Sequence, residues 1–226
     1  MQWSWLHILW VGLQVTLRLS LYTIGFSVVV AAAFAVASIS RWRLVRWTAR
    51  FVVDLLRSIP ILALLIFAYY GLGKYIASWH VDPFWMAVGA LTLGEAAFLS
   101  EIFRAGLEAI PRTQWEAAAS LGFRRTSALA RIIAPQAVLP SIPGLVNMSI
   151  FTFKDSSLAS VIAVPEVTQV ANQLVSETFK PLQVYLLLAG FYLVVILPFT
   201  ALAGLAEKAV TRYYGLHVDK ASIARN

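Results

Sequence analysis

The sequence predicts an all-α, polytopic membrane protein with five transmembrane helices. Of its 226 residues, 60% are hydrophobic and only 13% are charged, against about 25% charged residues in ordinary soluble domains. It also contains uncharged, mostly apolar stretches of 22, 22 and 26 residues, and about 20 such residues cross a bilayer as a helix. A soluble globular fold would leave large apolar patches exposed, and disorder requires a polar chain, so both classes are excluded.

The predicted spans differ in how much charge they contain. Three of them are uncharged, and two are interrupted by charge. The second span in chain order extends back to residue 51 if Asp54 and Arg57 lie near the membrane surface. The third span contains Glu95, Glu101 and Arg104. In chain order the five predicted spans are residues 19–40, 58–73, 83–106, 132–153 and 181–206.

Basic residues outside the spans predict the orientation. Thirteen Lys and Arg residues fall on one side of the predicted membrane, against Lys74 and Lys180 on the other. Because Lys and Arg concentrate in cytoplasmic loops, we expect the N-terminus outside and the C-terminus in the cytoplasm. The net charge of +7 therefore indicates membrane topology rather than nucleic-acid binding. The thirteen are Arg41, Arg43, Arg46, Arg50, Arg104, Arg112, Arg124, Arg125, Arg131, Lys208, Arg212, Lys220 and Arg225.

The segment before the first span has an apolar helical face that carries three tryptophans, with a polar stripe opposite. Tryptophan is enriched where the membrane meets water. The pattern therefore indicates either an interfacial helix or a simple extension of the first span, and both alternatives stay open. The tryptophans are Trp3, Trp5 and Trp10.

The loop between the third and fourth spans, residues 107–134, is polar but regularly patterned. Pro111 precedes a run of helix-forming residues that predicts a helix over 112–121. Gly122 follows, where helices commonly end with a left-handed residue. A second helix is predicted over 124–133, before Pro135. A helix, a glycine and a second helix on the cytoplasmic side describe a rigid projection that a partner could grip.

This loop resembles the EAA loop of ABC-importer permeases. The family pattern has EAA, three residues, Gly, nine residues, Ile, one residue, Leu and Pro, and this chain departs from it with Ala134 in place of the leucine. Further runs around Arg57–Pro60, Tyr69–Leu72, Glu101–Gly106 and Lys154–Leu158 are similar to the polar amino-acid (histidine/glutamine permease) subfamily. The residues that match the loop pattern are Glu116, Ala117, Ala118, Gly122, Ile132 and Pro135.

The resemblance implies a type I ABC-importer permease fold. It implies a single permease domain over residues 1–226, with a core at about 16–212. It further implies a bacterial inner-membrane location, a second identical or paralogous permease subunit, and a periplasmic amino-acid-binding protein. Cytoplasmic ATPase subunits would bind ATP and Mg²⁺ and would grip the loop at residues 107–134, which is called the coupling loop below. This chain itself would then be neither an enzyme nor a cofactor-binding protein.

Charged residues in and beside the spans are candidates for a substrate path or gate, because charge in hydrocarbon is costly and usually functional. Glu95 has no obvious partner nearby in the sequence, whereas Glu101 is spaced to pair with Arg104 as an alternative to a gate role. Asp54 and Arg57 have the same spacing and are predicted to form a structural charge pair. At the end of the fourth span, the group Lys154, Asp155 and Ser156 suits a zwitterion, or else closes a helix end.

Catalytic and metal chemistry find little support in the sequence. There is no cysteine, and His7, His80 and His217 are too scattered for a metal motif. No glycine loop has the spacing of a nucleotide site. The main alternative to an importer subunit is a self-sufficient secondary transporter or channel, which would be expected to show inverted repeats that are not found here. An intramembrane enzyme and a purely structural assembly subunit are weaker alternatives.

Overall fold

A computed structural model describes residues 2–73 and 82–223. The predictions made on Lys74, His80 and Arg225 lie outside these residues. In chain order the elements are α1 (Gln2–Ser38), α2 (Arg43–Ser58), α3 (Ile61–Ile66) with a π-helical turn (Phe67–Leu72), α4 (Pro83–Glu108), α5 (Arg112–Ser120), α6 (Arg125–Ala128) with a π-helical turn (Leu129–Ile133), α7 (Ala134–Asp155) with a 3₁₀ turn (Ser156–Ile162), α8 (Val167–Thr178) and α9 (Pro181–Ile223).

Four helical segments of the described chain are long and apolar enough to span a membrane, and a bent pair of helices makes a fifth if it counts as one span. The four segments are Ser4–Ser38, Pro83–Glu108, Arg125–Ile162 and Pro181–Val210. The prediction of a helical membrane protein is therefore confirmed. Within the described residues, the number of candidate spans is four, or five with the bent pair.

The second predicted span is not the continuous helix that its backward extension to residue 51 required. The helices Arg43–Ser58 and Ile61–Leu72 meet at an angle of 97°. The bend falls at Pro60, which lacks an amide hydrogen and disfavours helical geometry in the residue before it. Ile59 accordingly is extended, with φ −92° and ψ 125°.

The first helix, α1, runs without interruption through both the tryptophan-rich segment and the first predicted span. Of the two alternatives for the N-terminal segment, the extension of span one is the one found, and a separate interfacial helix is not. At 1.5 Å per residue, a helix of 37 residues is about 55 Å long. Its first half packs against α8, because Leu9 and Leu13 are buried in one apolar cluster with Val167 and Ala171.

Helix α7 continues through Pro140 and Pro143, although a proline inside a helix removes a backbone hydrogen bond. The irregular bonding falls just before α7, in the π-helical turn Leu129–Ile133. There the side-chain amide of Gln136 donates a hydrogen bond to the carbonyl of Ile132 at 2.8 Å. A side chain thus supplies a backbone partner near Pro135, which has no amide hydrogen of its own.

Helix α4 lies at the centre of the fold. Its residues Ala87, Val88 and Leu91 form an apolar cluster with Leu19 of α1 and with Ile162 after α7. Helix α9 is the opposite case, because Leu186, Val194 and other large apolar side chains along it are exposed. In a membrane protein such a face is turned toward lipid or another subunit. The central position of α4 brings one of its acidic residues, Glu95, into the interior.

Candidate functional site

A cavity of about 640 Å³ opens between the bend after α2 and the helices α4 and α7. Three charged residues line it, namely Arg57, Glu95 and Asp155, beside apolar side chains that include Phe98 and Phe151. The two acids are 60 residues apart in the chain. Packing of α4 against α7 brings them to one wall, so the structure joins two of the predicted substrate-path residues.

Glu95 is the most unusual residue of this cavity. Its side chain is 2% exposed, and neither carboxylate oxygen has a hydrogen-bond partner among the described residues. The hydroxyl of Thr152 lies beside it but donates instead to the carbonyl of Met148, at 2.9 Å. A buried carboxylate without partners is costly, because it loses its hydration and gains nothing in return. Its position therefore favours a cationic ligand or a proton.

The other predicted path residues around Asp155 are placed differently. Asp155 is half-buried and lines the cavity. Lys154 is not among the residues that line it, and its ammonium nitrogen lies 5.6 Å from the centre of the Phe151 ring. Ser156 is buried, and its hydroxyl donates to the carbonyl of Phe153 at 2.7 Å. Of this group, only Asp155 faces the cavity, while Ser156 supports the helix end.

Glu101 is already occupied by arginine. Both its oxygens accept hydrogen bonds from Arg104, at 3.1 Å from Nε and 2.7 Å from Nη2. Arg57 lies 3.9 Å from the same carboxylate. Since two guanidinium groups neutralise it, Glu101 is better explained as a structural anchor than as a gate, in agreement with the predicted Glu101–Arg104 pair.

The predicted pair between Asp54 and Arg57 is not found within 4 Å in the described part of the chain. Asp54 is exposed. Arg57 turns instead toward α4, where it lies over the ring of Phe98 at 5.4 Å and near Glu101. The reason is tertiary: the bend after α2 presents Arg57 to α4, and an acid on the neighbouring helix replaces the one on its own.

The coupling loop contains the predicted helix, glycine and second helix. The first helix is Arg112–Ser120, one residue shorter than expected. Gly122 has a left-handed conformation with φ +78°. The amide of Gly122 donates to the carbonyl of Ala119 at 2.9 Å, and that of Phe123 to the carbonyl of Ala118 at 3.0 Å. These bonds are the Schellman motif that ends a helix at glycine.

The second predicted helix of the loop, over 124–133, is only partly regular. It begins as one α-helical turn, Arg125–Ala128, and continues as the π-helical turn to Ile133. Trp115 and Ile132 pack against a buried cluster formed by Leu107 of α4, Ala35 of α1 and Ala137 of α7. The loop is thus joined by apolar contacts to three spanning helices.

The six residues of the EAA pattern divide into exposed and buried positions. Glu116, Ala117, Gly122 and Pro135 are exposed, Ala118 is 2% exposed, and Ile132 is partly buried. The exposed positions are available to a partner, whereas Ala118 and Ile132 hold the loop to the rest of the fold. In the described residues there is no group of three or more His, Cys, Asp or Glu that could hold a metal ion.

Glu166 is a buried polar residue that sequence reasoning missed. It caps α8 by accepting a hydrogen bond from the amide of Gln169 at 2.7 Å. The hydroxyl of Thr16 lies 3.4 Å from its other oxygen and accepts from the amide of Val167 at 3.0 Å. Burial raises the pKa of Glu166 to about 7, and hydrogen bonds from Thr168 and Gln169 oppose the shift. The Pro-Glu pair before a helical pattern was the available signal.

Comparison with known proteins extends this picture. Residues 25–212 match the family described as "Binding-protein-dependent transport system inner membrane component". The chain belongs to this family. It is therefore similar to transport-system components rather than to enzymes, and the resemblance drawn from the coupling loop is confirmed at the level of the family.

Several relatives are permeases of amino-acid and related transport systems. The octopine transport system permease of Rhizobium meliloti is 34% identical over 198 residues, covering 84% of this chain and 81% of its own. The probable glutamine ABC transporter permease of Bacillus subtilis is 33% identical over 203 residues, covering 90% and 93%. The arginine transport system permease of Bacillus subtilis is 31% identical over 197 residues, covering 87% and 90%.

Solved structures agree with the fold. The crystal structure of an amino acid ABC transporter with histidines has a TM-score of 0.82 and 29% sequence identity, covering 92% of this chain and 96% of that chain. An inward-facing methionine ABC transporter has a TM-score of 0.72, with coverage of 88% and 96%, and at 18% identity it supports the fold alone. The predicted permease fold is therefore confirmed.

Proposed function

We propose that this chain is the permease subunit of an ATP-driven ABC importer in a bacterial inner membrane, and that it moves a polar amino acid or a close analogue. The observation that carries the proposal is the cavity in which the unpartnered carboxylate of Glu95 lies with Asp155 and Arg57. The names of the relatives agree with this substrate class, since they include permeases for octopine, glutamine and arginine.

The chemistry of the cavity fits an amino acid. An ammonium group would satisfy Glu95 and Asp155, and the guanidinium of Arg57 can donate paired hydrogen bonds to a carboxylate. With two acids and one base in the lining, the cavity suits a zwitterion with room for a further positive charge. The apolar side chains of Phe98 and Phe151 strengthen these contacts by excluding water.

Partner proteins would supply the other subunits of the importer. Cytoplasmic ATPase subunits would bind ATP and Mg²⁺ and grip the exposed face of α5, which includes Glu116 and Ala117. When the ATPase subunits close, the contacts of Trp115 and Ile132 with the spanning helices would move those helices as a rigid body. A second permease subunit would complete the translocation path, and a periplasmic binding protein would deliver the substrate. Membrane lipid surrounds the assembly, and nucleic acid has no role.

The test is uptake by the reconstituted complex of permease, ATPases and binding protein in proteoliposomes. Glu95→Gln and Asp155→Asn should each raise the KM for the substrate by about tenfold to a hundredfold, because a hydrogen bond to a charged group contributes about 1.5–3 kcal/mol. Asp54→Asn is the matched control, since it removes an acid that is exposed and outside the cavity. Equal uptake by all three variants would refute the assignment of the cavity.

The same vesicles separate the importer from its main alternative. An importer subunit moves no substrate without ATP and its ATPases, whereas a self-sufficient transporter or channel would. Uptake by the permease alone, driven by a substrate or ion gradient, would overturn the proposed function even if the Glu95→Gln variant were impaired.

A further inference from the structure

A second cavity, of about 570 Å³, lies between the end of α1 and the coupling loop. Its floor is apolar and includes Val36 of α1, Ile39 just after that helix, and Leu129 of the loop. Its rim carries two tryptophans and three arginines. These are Trp42, Trp115, Arg41, Arg124 and Arg125. Cations and tryptophans around an apolar floor are typical of the region where a membrane meets water.

The arginines of this rim are not neutralised by the protein. In the part of the chain that the structure describes, no acidic side chain lies within 4 Å of Arg41, Arg124 or Arg125. Glu108 of α4 pairs with Arg50 and Arg104. The guanidinium of Arg125 lies 4.9 Å from the centre of the Trp115 ring, which holds it at the cavity. The rim therefore presents uncompensated positive charge.

An apolar groove of about 220 Å³ continues from this cavity and shares Val36 with it. The groove runs along α1, α4 and α7 between small side chains, which include Ala32 and Ala134. Its single polar lining residue, Ser141, already donates its hydroxyl to the carbonyl of Ala137 at 2.9 Å. All its residues lie in segments long and apolar enough to span the membrane. The groove thus offers an apolar surface, in helices that can span the membrane, to a hydrocarbon chain.

We propose that this cavity and groove bind one anionic phospholipid, with the headgroup phosphate at Arg124 and Arg125 and an acyl chain along Ala32 and Val36. Basic pockets between spanning helices are known to take anionic headgroups. A phosphate accepts hydrogen bonds from guanidinium groups in a paired geometry. A phospholipid combines an anion with an apolar chain, which is the arrangement that the rim and the groove present together. A protein segment of the ATPase would match the charge but would have to enter the membrane to fill the groove.

The first test measures lipid retention by the purified full-length chain in detergent, using native mass spectrometry. Phosphatidylglycerol should bind more tightly than phosphatidylethanolamine with the same acyl chains. The double variant Arg124→Gln and Arg125→Gln should weaken phosphatidylglycerol binding by about thirty-fold, because each arginine is a separate contact to the anion. The control is Arg112→Gln and Arg131→Gln, which removes the same charge from this loop outside the cavity. Equal binding of both lipids, or equal loss in the control, would overturn the proposal.

The second test separates a phospholipid from a free phosphate. Ala32→Phe fills the groove and should weaken phosphatidylglycerol binding, whereas Ala33→Phe, which is exposed but outside the groove, should not. If inorganic phosphate displaced the lipid, and the Ala32→Phe and Ala33→Phe variants bound phosphatidylglycerol equally, the site would be for phosphate alone. If the arginine variants bound phosphatidylglycerol normally but released the ATPases, the surface would belong to the protein partner. Either result would contradict the proposal.

Discussion

Gly122 is the position where one substitution tests the coupling loop most directly. It ends α5 in a left-handed conformation with φ +78°, and the amides of Gly122 and Phe123 close the helix on the carbonyls of Ala119 and Ala118. A Cβ atom placed at Gly122 would meet no other atom of this chain within 4 Å. The effect of Gly122→Ala on the loop therefore comes from the backbone conformation and not from crowding within the chain.

The size of the effect follows from that conformation. A residue with a Cβ atom in the left-handed region costs about 1–2 kcal/mol, and asparagine tolerates the region better. Gly122→Ala should therefore lower the ratio of native to non-native loop conformations by about fivefold to thirtyfold. Gly122→Val should cost more, because β-branching disfavours this region further. Gly122→Asn should keep most of the native loop.

The measurement is co-purification of the ATPase subunits with each variant, together with ATP-driven uptake in proteoliposomes. Gly122→Val should lower co-purification and uptake the most, and Gly122→Ala should lower them less. Gly122→Asn should preserve both, and membrane insertion should be normal for all three variants. If alanine and asparagine variants behaved alike, the left-handed cap would not control coupling. Full ATPase association by the valine variant would refute the role of the loop in docking.

Two further predictions concern the stability of the fold. Because burial raises the pKa of Glu166 from its ordinary value of 4.5 to about 7, its contribution to the free energy of unfolding is full below pH 4.5 and falls by up to about 3 kcal/mol as the pH rises through 7. Thermal unfolding in detergent should show this fall of stability with pH in the wild type and in Glu177→Gln, a control at an exposed glutamate. The fall should be absent in Glu166→Gln, and an unchanged pH dependence in that variant would contradict the assignment. Gly106→Ala should lower the melting temperature, because the new Cβ would lie 2.8 Å from the carbonyl oxygen of Ala137 on α7. Gly89→Ala in the same helix meets nothing within 4 Å and should be neutral or stabilising, so an equal loss in both variants would rule out helix contact as the cause.

Features that depend on a short stretch of chain could be predicted well. Hydropathy alone identified the three uncharged spans, since transfer into the bilayer depends on the composition of one segment. The end of α5 at Gly122 was predicted for the same kind of reason, because a left-handed residue is a local property of the backbone. The pairing of Glu101 with Arg104 also required only the spacing of a helix.

Features that depend on the meeting of remote segments could not be predicted. The sequence marked Glu95 as an intramembrane acid without a partner, but only the packing of α4 on α7 shows that it shares a cavity with Asp155. Likewise, Asp54 lies three residues before Arg57, at the spacing of a helical ion pair, yet Arg57 lies near Glu101 instead. The bend at Pro60 sets the direction in which α2 faces and so decides this partner.

The sequence by itself therefore determined the class of protein, most of its spans and the cap of its coupling helix, all of which follow from the chemistry of neighbouring residues. Tertiary structure decided which polar and charged groups meet, as with Glu166, whose contact Thr16 lies 150 residues away in the chain. The physical reason is that burial removes water from a charge, and the choice of its new partner depends on which helices pack together.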